Sequence, residues 1–319
     1  NCDEVIGTRQ IQVLCEKENQ NGILHVWGNM FLAKLIQLKY VSLQHMGIVE
    51  LTDVGCMYRC FRKDALEKIM NKGIDTIIHC AGTVGNSVCM EDPMSAISSH
   101  IHGTQLLIEK SIKFKVKRFI YMSTIAVYST FRKRKIPFTE KTELKPDDFY
   151  GTLKMIAEKY IKENQPNHVI LRLANVYGKV TKAQNKTKLG VVENFIHAVL
   201  EKTNITIYGT GKQKMELVHI KDVYNCILTI LKNSKIKGEI FNVGSGKLVS
   251  IEELATIISN SGKKFYRYEP KVKKISGRKD KVWPDRFMSI CKIRKKIGWK
   301  PEISLTNGIE LMVENRRYD

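Results

Sequence analysis

The sequence predicts an α/β fold in which a parallel β-sheet is covered by helices on both faces. Two observations lead to this prediction. From Gly73 onward, short apolar runs alternate with longer stretches that have helical periodicity. The apolar runs are continuous rather than alternating with polar residues. Such runs are typical of strands that are buried on both faces, as they are in parallel sheets.

The first predicted elements lie between Asp75 and Tyr208. The apolar run Asp75–Gly82 ends in small residues and predicts a buried strand that meets a loop. A helical pattern over about residues 93–113 turns Leu106, Leu107 and Ile108 inward. The elements predicted next are a strand at Arg118–Met122, a helix containing Tyr150, Lys154 and Ala157, a strand at His168–Leu173, a helix at Val191–Leu200 and a strand at Ile205–Tyr208.

The ends of these strands indicate where a ligand would bind. In open α/β sheets, ligands bind at the carboxyl ends of the parallel strands. The residues at these ends are Ala81 and Gly82, Ser123 and Thr124, and Asn175. We therefore expect the binding edge of the sheet to contain these residues.

The chain beyond Asp222 predicts a smaller lobe. It contains a predicted helix at Val223–Leu231 and a predicted strand at Glu239–Val243. Another helix begins at Ser250, where Glu253 completes a capping-box pattern. We expect the basic stretch that follows to be irregular. The predicted division is a sheet domain over residues 1–175 and a lobe over residues 176–319 that interleaves with the sheet.

The composition excludes several classes of protein. With 319 residues, 43% hydrophobic and 27% charged, the chain can bury a substantial core. Its apolar stretches fall short of the roughly 18–20 residues of a membrane helix, and the first residues are too polar for a secretion signal. We therefore expect a cytoplasmic protein without a membrane partner. The eight cysteines are scattered, which favours free thiols over disulfides or a metal site.

The charge is strongly positive, with 53 Lys and Arg against 32 Asp and Glu and a net charge of +21. The densest basic run lies between Lys271 and Lys300. Three interpretations stay open: a solvated lysine-rich surface, a polyanionic partner, or a cationic cleft that attracts a small diphosphate-bearing molecule. Nucleic acid is disfavoured, because basic residues interleaved with aromatics and a recognition module are both missing from the sequence.

Tyr150 and Lys154 are the residues that suggest catalysis. They are four positions apart on a predicted helix, so both side chains project from one face. A phenol is a poor base at neutral pH, but a neighbouring ammonium stabilises the phenolate and lowers its pKa. A hydroxyl at the strand end, Thr124, would bridge Tyr150 and a substrate oxygen. The alternative is an ordinary surface contact between two residues on one helix face.

Nine short segments, in this order, resemble the extended short-chain dehydrogenase/reductase family, particularly its NAD-dependent epimerase/dehydratase members of the UDP-glucose/galactose 4-epimerase type. The segments are Asp75–Gly82, Gly103–Thr104, Ser123–Tyr128, Tyr150–Lys154, Leu171–Gly178, Ile207–Gly211, Val218–Asp222, Phe241–Gly246 and Ile297–Pro301. The resemblance implies a doubly wound Rossmann-type sheet that holds NAD, in preference to NADP, and a smaller C-terminal lobe that binds a nucleotide-diphosphate sugar. It also makes a homodimer plausible.

The resemblance implies a role for each matching residue. Tyr150 is the base, Lys154 lowers its pKa and holds the nicotinamide ribose, and Thr124 is the hydroxyl partner. The cofactor-lining positions are Ala81 and Gly82. The substrate-binding positions are Asn175 at the diphosphate, Tyr208 beside the nucleobase and Arg278 at a phosphate. The structural alternatives are a strand end for Asn175, core packing for Tyr208 and a surface cation for Arg278.

The N-terminal third departs from the family pattern. Its glycine-rich turn, which should approach the pyrophosphate closely, is degenerate over Val26–Ala33, and Gly28 lies one place out of step. Asp53 is a candidate replacement for the acidic residue that binds the adenosine ribose. His100 occupies a helix position where the family usually has asparagine. These departures are compatible with a member that binds cofactor poorly.

The main hypothesis is therefore an NAD-dependent nucleotide-sugar epimerase that acts through a keto intermediate. In the family's dehydratases, an acidic pair follows the threonine; here these positions hold Ile125 and Ala126, which disfavours elimination. Two alternatives remain. One is an NAD(P)-dependent oxidoreductase acting on a sugar or a small carbonyl compound. The other is a non-catalytic member of the family that serves as a binding module.

Overall fold

The computed structural model describes residues 5–7, 58–60, 70, 73–128, 136–178, 190–276 and 285–315. Its strands are β1 (Val5–Gly7), β2 (Tyr58–Cys60), β3 (Thr76–His79), β4 (Arg118–Thr124), β5 (His168–Leu173), β6 (Asn175–Tyr177), β7 (Ile205–Tyr208), β8 (Lys214–His219), β9 (Glu239–Val243), β10 (Leu248–Ser250) and β11 (Val272–Ile275). Its α-helices are α1 (Asn86–Glu91), α2 (Pro93–Ile97), α3 (Gly103–Lys113), α4 (Phe149–Asn164), α5 (Val191–Leu200), α6 (Ile220–Lys232), α7 (Ile251–Tyr266), α8 (Cys291–Ile297) and α9 (Leu305–Asn315).

The main sheet has four strands in the order β3-β4-β5-β9. β3 and β4 pair in parallel, with Thr76 opposite Arg118. Nearly every side chain of β4 and β5 is buried, which is why their sequences are almost continuously apolar. The predicted α/β fold with a parallel sheet is therefore confirmed.

The chain divides into two compact units, each made of three segments of chain. The first unit comprises Asn1–Ser129, Glu143–Arg172 and Asn233–Phe241. Its main core lies between the sheet and helices α3 and α4. The buried side chains of this core are Met70, Ile74, Ile77, Ile108, Val116, Phe119, Tyr121, Ala157, Ile161 and Ile170.

The second unit comprises Thr130–Thr142, Leu173–Lys232 and Asn242–Asp319. In it, β8 lies between β6 and β10, parallel to β6 and antiparallel to β10. Its core packs α5, α7 and α9 together around residues such as Phe195, Leu254 and Ile309. This unit has its own hydrophobic core, so its residues can be positioned by local packing.

One predicted feature of the second unit is wrong. The basic stretch after α7 was expected to be irregular, but Val272–Ile275 form β11, which pairs in parallel with β7. All four side chains of β11 are exposed. The strand forms because of its main-chain pairing with a distant segment, since burial of its side chains contributes little.

The helix ends follow the expected local chemistry. The capping box at the start of α7 is confirmed: Ser250 Oγ accepts the backbone N–H of Glu253 at 3.1 Å, and the Glu253 carboxylate accepts the backbone N–H of Ser250 at 2.7 Å.

A π-helical turn, Ser98–His102, separates α2 from α3. In the described ranges, each helix is too short or too polar to cross a membrane.

Candidate active site

Thr124 is the last residue of β4 and caps a short 3-10 turn, Ile125–Val127. Its Oγ1 accepts the backbone N–H of Ala126 at 3.2 Å. This contact uses a lone pair of the hydroxyl oxygen, so the O–H can still donate to another group. The cap therefore fixes a hydroxyl at the carboxyl end of a central strand.

Helix α4 begins directly against this turn. Asp148 caps the helix, accepting the backbone N–H of Gly151 at 2.7 Å. A Cβ atom on Gly151 would collide with the backbone carbonyl of Ala126. The glycine after Tyr150 therefore allows the first turn of α4 to touch the turn that starts at Thr124. The structure brings Thr124, Tyr150 and Lys154 into one region.

Lys154 is buried, with 4% of its surface exposed. Its Nζ donates to the backbone carbonyl of Met122 at 2.8 Å and lies 4.7 Å from the centre of the Tyr121 ring. Burial lowers the pKa of Lys154 to about 8, although the nearby Cys80, Glu158 and Cys89 act in the opposite direction. The structure therefore places a desolvated ammonium one helical turn from Tyr150.

Tyr150 is half-buried and packs beside a small apolar cluster that contains Cys89, Ala96 and Leu153. The ring of His100 meets the Tyr150 ring edge to face, with 5.8 Å between the ring centres. Contacts on both sides restrict the orientation of the phenol. Its position is therefore set by packing as well as by the helix.

A buried charged network joins α4 to the sheet. Arg172 of β5 donates from Nε and Nη2 to the Glu158 carboxylate and from Nη1 to the Tyr128 hydroxyl, at 2.6–3.1 Å. Ser123, the neighbour of Thr124, donates to Glu158 at 2.5 Å. Glu158 is four residues after Lys154, so the network holds the face of α4 that carries Tyr150 and Lys154 against β4. This pair was not predicted from the sequence; an arginine inside an apolar strand was the available signal.

His100 lies on the π-helical turn and packs against Gly82. A Cβ atom on Gly82 would collide with the imidazole, and the residue has φ +136°, which favours glycine. His100 Nε2 donates to the carbonyl of Thr83 at 2.8 Å. Burial is the main cause that lowers the pKa of His100 to about 3, so the ring is neutral and Nδ1 is an acceptor.

The loop that follows β3 and the π-helical turn packed against it contain polar atoms compatible with a bound polar group. His100 Nδ1 and Thr83 Oγ1 are buried without a hydrogen-bond partner among the described residues. Buried polar atoms are nearly always paired in native proteins, so these two atoms indicate a missing water or ligand group. Beside them lies Gly82, which is buried against the His100 imidazole. The described residues of this loop therefore fit a hydroxyl-rich or amide-bearing cofactor.

A second buried histidine supports the π-helical turn. His79 at the end of β3 hydrogen-bonds through Nε2 to Thr104 Oγ1 at 2.9 Å. Thr104 in turn donates to the His100 carbonyl at 2.6 Å. Because the Thr104 hydroxyl gives its hydrogen to that carbonyl, it accepts from His79. The chain of bonds ties the strand end to the turn that carries His100.

Two predicted substrate-binding residues lie in the second unit. Asn175 is exposed at the start of β6, and its Nδ2 donates to the Glu216 carbonyl at 3.0 Å. Tyr208, at the end of β7, is 69% exposed, which excludes the alternative that it is a core residue. Three other predicted residues, Gly28, Asp53 and Arg278, lie outside the described part of the chain.

The parallel sheet, with polar groups gathered where its strands end, is the architecture of a Rossmann-type α/β protein. The model of the NAD dependent epimerase/dehydratase family matches residues 52–244, and the chain belongs to this family.

Individual relatives agree with the family. A candidate UDP-glucose 4-epimerase of Methanocaldococcus jannaschii is 30% identical over 260 residues, which cover 79% of this chain and 80% of the relative. The solved UDP-glucose 4-epimerase of Thermotoga maritima, with UDP-glucose, is 27% identical with a TM-score of 0.70, and the match covers 80% of this chain and 81% of that one. The UDP-glucose 4-epimerase of Thermus thermophilus, in complex with NAD, shares the fold at 23% identity, with a TM-score of 0.68 and coverage of 80% and 82%.

Proposed function

We propose that this protein is an NAD-dependent epimerase of a nucleotide-diphosphate sugar, acting through a keto intermediate. The observation that carries the proposal is the buried Lys154 ammonium, held by the Met122 carbonyl one helical turn from Tyr150. Few structural roles require a lysine to be buried without a carboxylate bound to it, since desolvation opposes its charge. Support of a neighbouring phenolate is one such role.

In the proposed mechanism, the positive charge of Lys154 favours the phenolate form of Tyr150. Tyr150 then takes the proton from a sugar hydroxyl, and Thr124 hydrogen-bonds the same oxygen from the strand end. When the hydroxyl is re-formed, Tyr150 returns the proton. These steps need the three side chains in one region. The close approach of the Gly151 backbone to the Ala126 carbonyl, which leaves no room for a Cβ atom, supports this.

NAD, when bound, supplies reversible acceptance of a hydride from the sugar carbon. We assign Ala81, Gly82, Tyr150 and Lys154 to its nicotinamide half. The buried Thr83 Oγ1 and His100 Nδ1 atoms, which have no hydrogen-bond partner among the described residues, support this assignment. Gly28 and Asp53 are proposed for the adenosine half on sequence grounds alone.

We assign the substrate to the second unit, with Asn175 at the diphosphate, Tyr208 at the nucleobase and Arg278 at a phosphate. The exposure of Asn175 and Tyr208 supports their availability to a ligand. The relatives' nucleotide-sugar names support the substrate class. We also propose a homodimer.

Two alternative functions are kept because specific observations favour each. An Escherichia coli relative, 22% identical over 262 residues, is named dTDP-4-dehydro-6-deoxyglucose reductase, which favours net oxidoreduction. The degenerate turn around Gly28 favours a binding module without catalysis.

The first experiment is to denature the purified protein and quantify NAD and NADP released per chain. Near-stoichiometric NAD supports the proposal; loss of dinucleotide, with no binding of added NAD, would overturn it. UDP-sugars are then screened for epimerisation with Tyr150→Phe and with Tyr160→Phe as the matched control on the same helix. We expect Tyr150→Phe to lower kcat by at least about 100-fold and Tyr160→Phe to leave it unchanged. Visible net consumption of NADH or NADPH would favour the oxidoreductase.

A further inference from the structure

Glu216 lies in the middle of β8, and 0% of its surface is exposed. It is the most deeply buried carboxylate among the described residues of the second unit. Its side chain accepts the backbone N–H of Gly246 at 2.8 Å and of Met288 at 3.0 Å. A Cβ atom on Gly244 would collide with the same carboxylate. One acidic side chain therefore fastens the glycine loop after β9 and the segment before α8 to β8.

The main chain of Glu216 acts on Asn175. The carbonyl oxygen of Glu216 accepts one N–H of the Asn175 amide at 3.0 Å. A carbonyl can only accept, so this contact selects the amide orientation in which nitrogen faces Glu216. The second N–H of the same nitrogen then stays available to donate.

This orientation matters for an anionic ligand. Phosphate oxygens accept hydrogen bonds and repel the amide oxygen, so Asn175 recognises a diphosphate only through its N–H group. If the Glu216 carbonyl moved, the amide would lose the partner that defines its orientation. The position of that carbonyl depends on the side-chain bonds to residues 246 and 288.

We propose that Glu216 is a positioning residue for the substrate diphosphate, which fixes the Asn175 amide through its own main chain while its buried carboxylate anchors the surrounding loops. The inference rests on the proposed function and specifies how its substrate site is held. Burial raises the pKa of Glu216 to about 7, against the opposing backbone N–H groups of Met288, Gly246 and Ser245. The carboxylate is thus costly to keep charged, and its backbone partners offset that cost.

The test uses the full chain and measures UDP and dTDP affinity by calorimetry, with NAD content measured in parallel. Glu216→Gln keeps the side-chain size but points an amide N–H at a backbone donor. We expect it to weaken UDP binding by about tenfold, because small displacements of binding groups have large effects.

Asp222→Asn is the matched control. Asp222 is also buried in the second unit, and it also accepts two backbone N–H groups, from Glu302 and Ile303. Neither of these bonds involves Asn175. We expect this variant to lose stability as Glu216→Gln does, while its UDP affinity stays within about twofold of the wild type.

The combination with Asn175→Ala separates positioning from general loosening. If Glu216 acts through Asn175, adding Glu216→Gln to Asn175→Ala weakens UDP binding little further. Two results would overturn the inference while the proposed function stands. One is that the losses of UDP affinity from Glu216→Gln and Asn175→Ala add in the double variant. The other is that Glu216→Gln and Asp222→Asn lose UDP affinity equally. If Glu216→Gln does not fold, Gly244→Ala displaces the same carboxylate and is held to the same outcomes. A wild-type protein that binds neither nucleotide refutes the proposed function itself.

Discussion

Replacing Arg172 with methionine should destabilise the protein more than replacing any exposed charged side chain does. The variant loses the bonds from Nε and Nη2 to Glu158 and from Nη1 to Tyr128. Arg172 and Glu158 are 2% and 1% exposed, so the remaining carboxylate cannot recover its hydration. Among described residues it keeps only the Ser123 hydroxyl. Breaking one side of such a buried pair costs about 3–5 kcal/mol.

The free energy of unfolding is measured by urea denaturation, monitored by circular dichroism, and the m-value is compared between variants. The control is Lys117→Met, which removes an ion pair to Asp75 of similar length, 2.9 Å, but with side chains 79% and 51% exposed. We expect this control to lose at most about 1 kcal/mol. The double variant Arg172→Met/Glu158→Met should recover much of the loss, because no unpaired charge is left. Equal losses in Arg172→Met and Lys117→Met, or a double variant as unstable as the summed singles, would refute the reasoning.

Three further predictions concern single positions. Burial lowers the pKa of Lys154 from 10.5 to about 8, so the unfolded chain binds more protons between these values and stability rises with pH across this window. Lys154→Met should abolish that rise, as measured by urea denaturation at several pH values between 7 and 10, and a variant that keeps the same rise would contradict it. Gly82→Ala forces a Cβ into the His100 ring at φ +136° and should cost about 1–3 kcal/mol, with partial recovery when His100→Ala is added; no recovery would contradict the clash. Ser250→Ala removes the cap to Glu253 and should cost about 1 kcal/mol, and an unchanged denaturation midpoint would count against it.

The sequence predicted best the elements whose signal is local. The bounds of β5, α5 and β7 are those expected, because continuous apolar runs or a clear helical period end at polar or turn-forming residues. By contrast, β6, β8, β10 and β11 were not predicted. Three of them, β6, β10 and β11, have only three or four residues, and all four are defined by pairing with distant segments, which is not encoded in the strand's own residues.

In the candidate site, too, only the local features could be predicted from the sequence. The spacing of Tyr150 and Lys154 on one helix face was visible in the sequence, and the burial of Lys154 was not. Two buried hydrogen-bonded contacts were not predicted, because their partners are distant in sequence. Arg172 is 14 residues from Glu158, and His79 is 25 residues from Thr104. The π-helical turn, Ser98–His102, interrupts what the periodicity predicted as one continuous helix over residues 93–113.

The segmented first unit has a consequence for biosynthesis. Residues 233–241 belong to that unit, and β9 is the last strand in the order of its sheet, next to β5. A ribosome completes β5 at Leu173 and β9 at Val243, so at about 5–20 residues per second the nascent chain exposes the unpaired edge of β5 for on the order of 3–14 seconds. An open, apolar edge strand is a template for aggregation. We therefore expect a chain that terminates at Lys232 to aggregate during synthesis, whereas a chain that continues past Val243 closes the sheet with its own late-arriving strand.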